Sequence, residues 1–297
     1  MTYHTFEYAS CFKEYSDPVY LERSRVFCLK LTNPYTPFFD LSYCYPFLPI
    51  KSLNGLIEDL KNVHGAYQCF YGVLSPWIQI VEEKEIAEFE LFFQYKDHFF
   101  TDLNQELWST LPNTHKRLIK KSEKKVSVNL AYPNNVLDDW VQLYKNLIRR
   151  HQITGLTAFS DQTLRSFLLI PGAFVYAAYL DNQICGIAIF YPHDHLVYYH
   201  LAAYSDQGYQ VSASYAIFWK AIRDFKQLGF RALHLGGVPG VYASESGLQR
   251  FKKGWATGCV RSFFCGKVLN KEQFELTRQM SGSASVTDYF PPYRKYL

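Results

Sequence analysis

The sequence predicts a mixed α+β fold, with antiparallel and parallel strand pairs in one kind of sheet and helices flanking it. Three observations carry this expectation. Residues 1–100 are rich in aromatic, β-prone runs and hold one helical segment. Residues 173–204 read as three strands joined by short turns, an antiparallel meander. The last of these strands is then followed by an amphipathic helix and a short strand at 231–235. A helical crossover of that kind makes a parallel pair, and a right-handed one.

Each element has its own warrant. In the first hundred residues the strand-like runs are Val26–Leu31, Tyr43–Ile50, Ala66–Leu74 and Ala87–Tyr95, and only Leu53–Asn62 has a helical pattern. Asn104–Lys125 reads as a helix or a pair of helices, with Pro112 marking a break or a first turn, and it ends in a dense basic run. Val126–Ala131 alternates as a strand. Asn135–Arg150 places Trp140, Val141, Tyr144 and Leu147 on one helical face. A second helix, Asp161–Leu169, has Ser160 as its N-cap and Pro171 beyond its end. The meander is Ala173–Leu180, Ile184–Tyr191 and Leu196–Tyr204. The crossover helix Ser214–Leu228 turns Tyr215, Phe218, Trp219, Ile222 and Phe225 inward and stops at Gly229. Arg231–Leu235 is a strand ending in Gly236-Gly237, a helix lies near Ser246–Trp255, and Val260–Val268 is the final strand. From residue 126 the order is β-α-α-β-β-β-α-β-α-β.

Length and composition bound the function. A chain of 297 residues with 48% apolar and 20% charged residues suits two domains and excludes a disordered or collagen-like chain. The net charge is +4, but residues 1–100 hold 8 Lys/Arg against 13 Asp/Glu, while residues 101–297 hold 23 against 14. The second part is therefore the one suited to an anionic ligand. The N-terminal residues lack a basic segment followed by an apolar core, so no secretory signal is read there. Gly65–Val81, the longest uncharged apolar-leaning run, is too short and too polar to span a bilayer. Seven cysteines, odd in number and without a C-x-x-C, read as buried thiols in a reducing compartment, which places the protein in the cytoplasm. No metal site is read from the sequence.

An antiparallel meander that ends in one parallel pair puts a ligand at the carboxyl ends of those strands, beside the crossover helix. Free N–H groups at Val211–Tyr215 are expected there and favour an anion such as a phosphate.

The topology resembles the GNAT acyltransferase fold. More narrowly it is similar to the Fem-type family, aminoacyl-tRNA-dependent transferases that build peptidoglycan cross-bridges, and to their acetyltransferase-like relatives. The resemblance covers roughly residues 97–268 and rests on short segments spread along them. These are Asp97-His98-Phe99-Phe100-Thr101-Asp102-Leu103, Glu106-Leu107-Trp108, and the basic helix His115–Lys125 running into Val126-Ser127-Val128. Further along they are Ala221-Ile222-Arg223, Leu235-Gly236-Gly237, and Gly247-Leu248-Gln249-Arg250-Phe251-Lys252-Lys253-Gly254-Trp255, the most specific of them. The resemblance implies two GNAT-like units, a degenerate one over 1–125 and an acyltransferase domain over 126–297. Members that use acyl-CoA carry a glycine-rich motif before the crossover helix. Here Gln207-Gly208-Tyr209-Gln210-Val211-Ser212 has polar residues at those positions, which favours aminoacyl-tRNA over acyl-CoA as donor.

The resemblance also implies roles for individual residues. Lys252 sits at the reacting carbonyl, where a cation stabilises the oxyanion; the alternative is a solvated lysine beside Arg250 and Lys253. Phe251 then packs inward, and Lys253 joins the donor-binding set with Ser212, Ser214 and Tyr215. Tyr215 also fits the apolar stripe of its helix as a core residue. Gly236 and Gly237 either let a substrate approach the backbone or form an ordinary turn. Lys116, Arg117, Lys120, Lys121, Lys124 and Lys125 form a basic patch on about half of one helix face, a site for phosphates or a solvated face. His193-Asp194-His195 reads as a polar hairpin turn.

No G-x-S-x-G elbow, dinucleotide fingerprint or P-loop is present, so direct attack of an amine on a bound acyl donor is the simplest chemistry. The leading expectation is an N-acyltransferase moving an acyl or aminoacyl group from CoA or tRNA, as co-substrate, to an amine. The acceptor expected from the resemblance is a peptidoglycan precursor, a setting compatible with peripheral membrane contact. The alternative is a non-catalytic GNAT-like protein that senses acyl-CoA or another anionic ligand.

Overall fold

The computed structural model describes residues 2–63, 65–79, 82–237 and 247–295. Its elements in chain order begin with α1 (Phe6–Ser10), β1 (Pro18–Leu21), β2 (Val26–Thr32), β3 (Phe39–Tyr43), α2 (Leu53–Asn62), β4 (Cys69–Val73), α3 (Glu83–Ile86) and β5 (Leu91–Asp102). There follow α4 (Leu107–Thr110), α5 (Asn113–Glu123), β6 (Ser127–Leu130), α6 (Leu137–His151), α7 (Asp161–Leu168), β7 (Phe174–Leu180), β8 (Gln183–His193) and β9 (Leu196–Tyr204). The last are α8 (Asp206–Gln210), α9 (Ala213–Gln227), β10 (Ala232–Gly236), α10 (Gly247–Trp255), β11 (Gly258–Val268) and α11 (Lys271–Met280). The fold is mixed α+β, as the sequence predicts.

The chain forms two compact units, residues 3–97 together with those from 260 on, and residues 98–259. This division differs from the expected 1–125 and 126–297. The chain passes out of the first unit along β5 and returns to it along β11, so both long strands are divided between the units. Residues 98–125 consequently pack with the second unit, and β11 and α11 pack with the first.

In the first unit the strand order is β1-β2-β3-β4-β11-β5. β1, β2 and β3 form an antiparallel meander, and β3 pairs with β4 in parallel across the α2 crossover. Val26, Cys28, Leu41, Leu56, Leu60, Phe70 and Cys265 make its core. The strand expected at Tyr43–Ile50 is instead Phe39–Tyr43, and past it only Leu48 bridges, to Leu74. Asp40 explains the difference. Its carboxylate is fully buried on β3 and accepts from Tyr293 Oη at 2.7 Å and Arg294 Nε at 2.5 Å. A buried charge paired with residues near the far end of the chain leaves no apolar alternation to read.

The second unit carries the strand order β5-β10-β9-β8-β7-β6. Every pair in it is antiparallel except β9 with β10, which are parallel and joined across α9. Alternation along the strands splits the side chains between two helical layers. On one face Tyr176, Phe190, Val197, Leu233 and Leu235 pack with Ile119 of α5, Phe218 and Phe225 of α9, and Trp255 of α10. On the other face Tyr191 and His200 meet Phe167 of α7, and Tyr191 Oη donates to the Phe167 carbonyl at 2.7 Å. Burying side chains of this size stabilises by about 1.5–3 kcal/mol each, so both helical layers are fixed to the sheet.

Local signals are faithful in this unit. Ser160 accepts a hydrogen bond from the Thr163 N–H and caps α7. Gly229, at φ +83°, ends α9. The bounds of β9 are the expected ones, as are those of α2 in the first unit. No helix among the described residues is long and apolar enough to cross a membrane. The seven cysteines are thiols, six of them buried and Cys259 exposed.

Candidate active site

The site is built where β9 and β10 part. Their parallel register holds for three pairs, ending at Tyr198 with His234. β9 then runs on to Tyr204, whereas β10 ends at Gly236 after an irregularity in its pairing with β5. Gly236 has φ +75°, a left-handed conformation that suits glycine. The pairing of β9 with β10 thus ends toward the carboxyl ends of the two strands.

Lys252 reaches the end of β10 from α10. The end of α10 is latched to β5: Thr101 Oγ1 donates to the Trp255 carbonyl at 2.9 Å, and the Thr257 N–H donates to the Phe100 carbonyl at 2.9 Å. The Asp102 N–H adds a bond to Thr257 Oγ1 at 2.7 Å. With the helix so placed, Lys252 is 6% exposed and its Nζ donates to the Gly237 carbonyl at 2.5 Å. The same Nζ lies 5.6 Å from the centroid of the Tyr199 ring. A β-carbon on Gly236 would sit 3.3 Å from it, tighter than an ordinary contact. The carbonyl and the ring face compensate part of the cost of burying the ammonium. Lys252, Gly236 and Gly237 are therefore brought together. Lys252 is not a solvated helix lysine.

The neighbouring candidates divide. Phe251 and Tyr215 pack together, 5.1 Å between ring centroids, in an aromatic cluster with His115, Phe218 and Trp255. His115 Nε2 donates to the Phe251 carbonyl at 3.1 Å. Burial pushes the His115 pKa down, opposed in part by that backbone bond, so the ring is held neutral. These contacts make Phe251 and Tyr215 packing residues of the α5–α9–α10 layer. Lys253 points outward and is exposed. The loop between Gly237 and α10, with the expected helix start Ser246, lies outside the described residues.

The expected row of free N–H groups at Val211–Tyr215 is corrected at Val211, Ser212 and Tyr215. Residues 206–210 form the short helix α8, capped by Ser205, whose Oγ accepts from the Gly208 N–H at 3.1 Å. The backbone N–H groups of Val211, Ser212 and Tyr215 donate to Gln207, Tyr209 and Ser212 carbonyls at 3.0–3.1 Å. Ser212 itself is left-handed at φ +60° and half-buried, and Ser214 is half-buried beside it. A polar segment takes up these donors locally, which a glycine-rich loop would leave pointing outward.

The basic patch is also altered in part. α5 ends at Glu123, so Lys124 is its C-cap and Lys125 lies past it, off the helical face expected to hold all six. Arg117, Lys120, Lys121, Lys124 and Lys125 are exposed; Lys116 is half-buried and donates to the Ser109 carbonyl at 3.0 Å. The inward face is His115, Ile119 and Ser122, which dock α5 on its layer.

One pair of functional type escapes sequence reasoning. His98 Nδ1 of β5 lies 3.0 Å from His234 Nε2 of β10, and the Tyr198 ring of β9 lies 5.0 Å from the His234 ring. His98 is 6% and His234 2% exposed. Burial first, then the neighbouring His98 and the Lys252 charge, hold the His234 pKa well below the usual imidazole value. His98 stands in the first of the family-like segments, but 136 residues separate it from its partner, so no spacing could signal the pair. His193 closes β8, with Asp194 at φ +50° in the two-residue turn that leads to β9. Among the described residues no group of three His, Cys, Asp or Glu side chains is placed to hold a metal ion.

The fold has counterparts among known proteins. Residues 111–253 match the family described as an acetyltransferase (GNAT) domain. Among solved structures it is similar to FemX, at TM-score 0.66 and 13% identity over 91% of this chain and 93% of that one. It is also similar to the C-terminal domain of a putative lysylphosphatidylglycerol synthetase from Agrobacterium fabrum, at TM-score 0.63 and 13% identity over 92% and 90% of the two chains. A third likeness is to L-PGS from Bacillus licheniformis, at TM-score 0.57 and 13% identity over 92% and 93%. No curated protein sequence matches the chain. The fold is the FemX-like one, which contains two GNAT-like units.

Proposed function

We propose that this GNAT-domain chain is an N-acyltransferase, transferring an acyl or aminoacyl group from an RNA ester or a CoA thioester to an amine by direct attack. One observation carries the reading: the buried Lys252 ammonium stands at the point where β9 and β10 part, hydrogen-bonded to Gly237. As the amine nitrogen attacks the acyl carbon, negative charge grows on the carbonyl oxygen. A fixed cation in a site shielded from water stabilises that charge strongly, because nothing has to reorient during the reaction. The turn at Gly236-Gly237 has no side chain to block the acyl group from the backbone and from Lys252 Nζ.

Aminoacyl-tRNA is the favoured donor within this reading. The exposed lysines and arginine of α5 and its C-terminal turn suit a polyphosphate, and the α8 turn occupies N–H groups that a pyrophosphate would need. The amine of a cell-envelope precursor is the proposed acceptor, in keeping with the FemX-like fold.

The test is transfer of radiolabel from acetyl-CoA or from aminoacyl-tRNA to a pool of cell-wall precursors and simple amines, comparing the wild-type chain with Lys252→Ala. Label moving from one donor in a Lys252-dependent way supports the reading and names the donor. No transfer from either donor rejects it in favour of ligand sensing. Thermal shift with CoA and with tRNA is a cheaper preliminary, since a ligand at a hundred times its Kd adds about 2.7 kcal/mol of stability.

A further inference from the structure

Between α4 and the end of α10 the second unit has a hollow of about 230 Å³. Leu107, Leu111 and Trp255, which line it, are buried. Gln105 and Thr110, which also line it, are exposed, and Thr257 is half-buried. The hollow thus has apolar inner walls, with amide and hydroxyl groups toward solvent. The bonds that latch α10 to β5 also fix these walls, through the Trp255 carbonyl and Thr257 Oγ1. A site fixed beforehand loses little freedom when it is occupied. Its volume is below the roughly 300–1,000 Å³ of sites that take drug-sized ligands, so it suits one planar ring system and not a whole coenzyme.

Indoles and cations surround the hollow. Trp255 stacks on Trp219 of α9, 6.5 Å between ring centroids, and Trp219 meets Trp108 of α4 at 5.2 Å. Lys226 Nζ donates to the carbonyl of Gln105 at 2.8 Å, and Lys116 Nζ to that of Ser109, the neighbour of Thr110, at 3.0 Å. Lys120 Nζ lies 5.7 Å from the Trp108 ring centroid, and the Arg223 guanidinium the same distance from that of Trp219. The carboxylates of this surface are engaged. Asp102 accepts from Asn104 and Gln105, Glu106 from the Trp108 N–H, and Glu123 pairs with Arg223 at 3.3 Å. Lys116, Lys120 and Lys226 meet carbonyls or a ring instead, so their charge is left for an anion.

We infer that the hollow between α4 and α10 holds one unstacked base of a single-stranded RNA segment, with the adjoining phosphates on Lys116, Lys120 and Lys226. An apolar floor beside an indole shelters the ring faces, and the amide and hydroxyls at the mouth meet its polar edge. Cations alongside aromatic rings are the pairing that single strands require, one for the backbone and the other for the bases. The apolar residues of the hollow are recessed and none protrudes, which suits a base entering from solvent and not insertion into a bilayer. Trp255 follows Lys252 by three residues on α10, so a strand held here lies beside the helix that carries the acyl-transfer lysine. The inference rests on the reading of an RNA ester as donor and locates part of that donor's binding.

The test compares two RNA hairpins with a short unpaired 3′ end, one normal and one with abasic residues in that end, so that both keep their phosphates. Affinities for the full chain are read by fluorescence anisotropy at several salt concentrations. Wild type is expected to prefer the normal end by about 5–150-fold, the usual effect of stacking one base. Thr110→Trp, which fills the mouth from an exposed position, and Gln105→Ala should each reduce that preference and leave the salt slope unchanged. Lys116→Ala and Lys226→Ala should each lower the slope by about 0.7 and keep the preference. Equal affinity of wild type for the two hairpins, or a preference undiminished in both Thr110→Trp and Gln105→Ala, overturns the inference. So does binding of AMP as tight as that of the normal hairpin, which marks a free-nucleotide site. Lysine-dependent binding to phosphatidylglycerol vesicles without a base preference gives the surface to a membrane and overturns it too. Binding is measured without transfer, so a lost preference leaves the acyltransferase reading standing, and a preference without transfer from any donor rejects that reading alone.

Discussion

Lys252 and Gly237 are fifteen residues apart in sequence, yet the lysine's Nζ donates to the glycine's carbonyl oxygen at 2.5 Å and the lysine is almost wholly buried. The contact ties α10 to the end of β10 and fixes a positive charge where the parallel strands part. Lys252→Ala is expected to lower acyl transfer by about 10²–10³-fold, the cost of removing one oxyanion donor. Lys252→Arg should recover part of it. Thermal melts of both variants must stay close to wild type for the loss to count as catalytic. Transfer undiminished in Lys252→Ala would remove the lysine from the chemistry.

Gly254 and His115 make a second close relationship. A β-carbon on Gly254 would lie 1.9 Å from His115 Cε1, far inside contact distance. Gly254→Ala is thus predicted to destabilise the chain by about 1–3 kcal/mol, the usual cost of overpacking. In a His115→Ala background most of that cost should vanish, because the ring that clashes is gone. A double-mutant cycle by urea denaturation measures the coupling. Additive losses would show that the clash is not with His115.

At Gly208 the obstacle is backbone, not a side chain. A β-carbon there would come within 2.0 Å of the Cys185 carbonyl oxygen, which also accepts from the Ser205 N–H at 3.0 Å. A strand carbonyl held in this way cannot move aside. Gly208→Ala should cost about 3 kcal/mol, at the upper end of overpacking losses, and no single compensating truncation should rescue it. Circular dichroism melts decide this.

Acid should weaken the second unit through its buried imidazoles. Burial pushes His200 down to about 3, between the rings of Phe167 and Tyr191. Its folded value is below its unfolded value, so the unfolded chain binds the proton first. Stability contributed by the neutral ring is intact above about pH 6.5 and is lost as pH falls toward 3. The slope is about 1.4 kcal/mol per pH unit for this one group. His200→Gln removes that titration. Its urea midpoint should fall less steeply between pH 6.5 and 4 than that of wild type; equal slopes would contradict the assignment.

The lysines of the α5 region supply a salt-dependence prediction. Replacing Lys120, Lys121, Lys124 and Lys125 together by Ala should weaken tRNA binding. The slope of log affinity against log salt should fall by about 0.7–0.9 for each phosphate no longer neutralised. Filter binding at several salt concentrations measures it. An unchanged slope would mark the patch as a solvated face.

Much of the fold is legible in the sequence because its signals are local. Ser160 caps α7 with its own side chain, Gly229 stops α9 by conformation, and the alternation of Leu196–Tyr204 defines β9. β3 departs from its expected position because Asp40 interrupts its apolar pattern, and the partners that make the carboxylate tolerable, Tyr293 and Arg294, are more than 250 residues away. Two of the N–H groups expected to be unbonded before α9, those of Val211 and Ser212, donate to carbonyls of α8, a polar helix too brief to show a period.

The sequence by itself determined the succession of elements in the second unit, the short α8 apart, and the parallel pair that the α9 crossover demands. These features depend on hydrophobic period, capping and turn chemistry, which act over a few residues. Only the tertiary structure decided that Lys252 is buried against Gly237, that Phe251 and Tyr215 serve packing, and that His98 and His234 share a hydrogen bond. The reason is physical: strand register and helix docking bring together residues from β5, β10 and α10, and no periodicity along the chain encodes a distance across it.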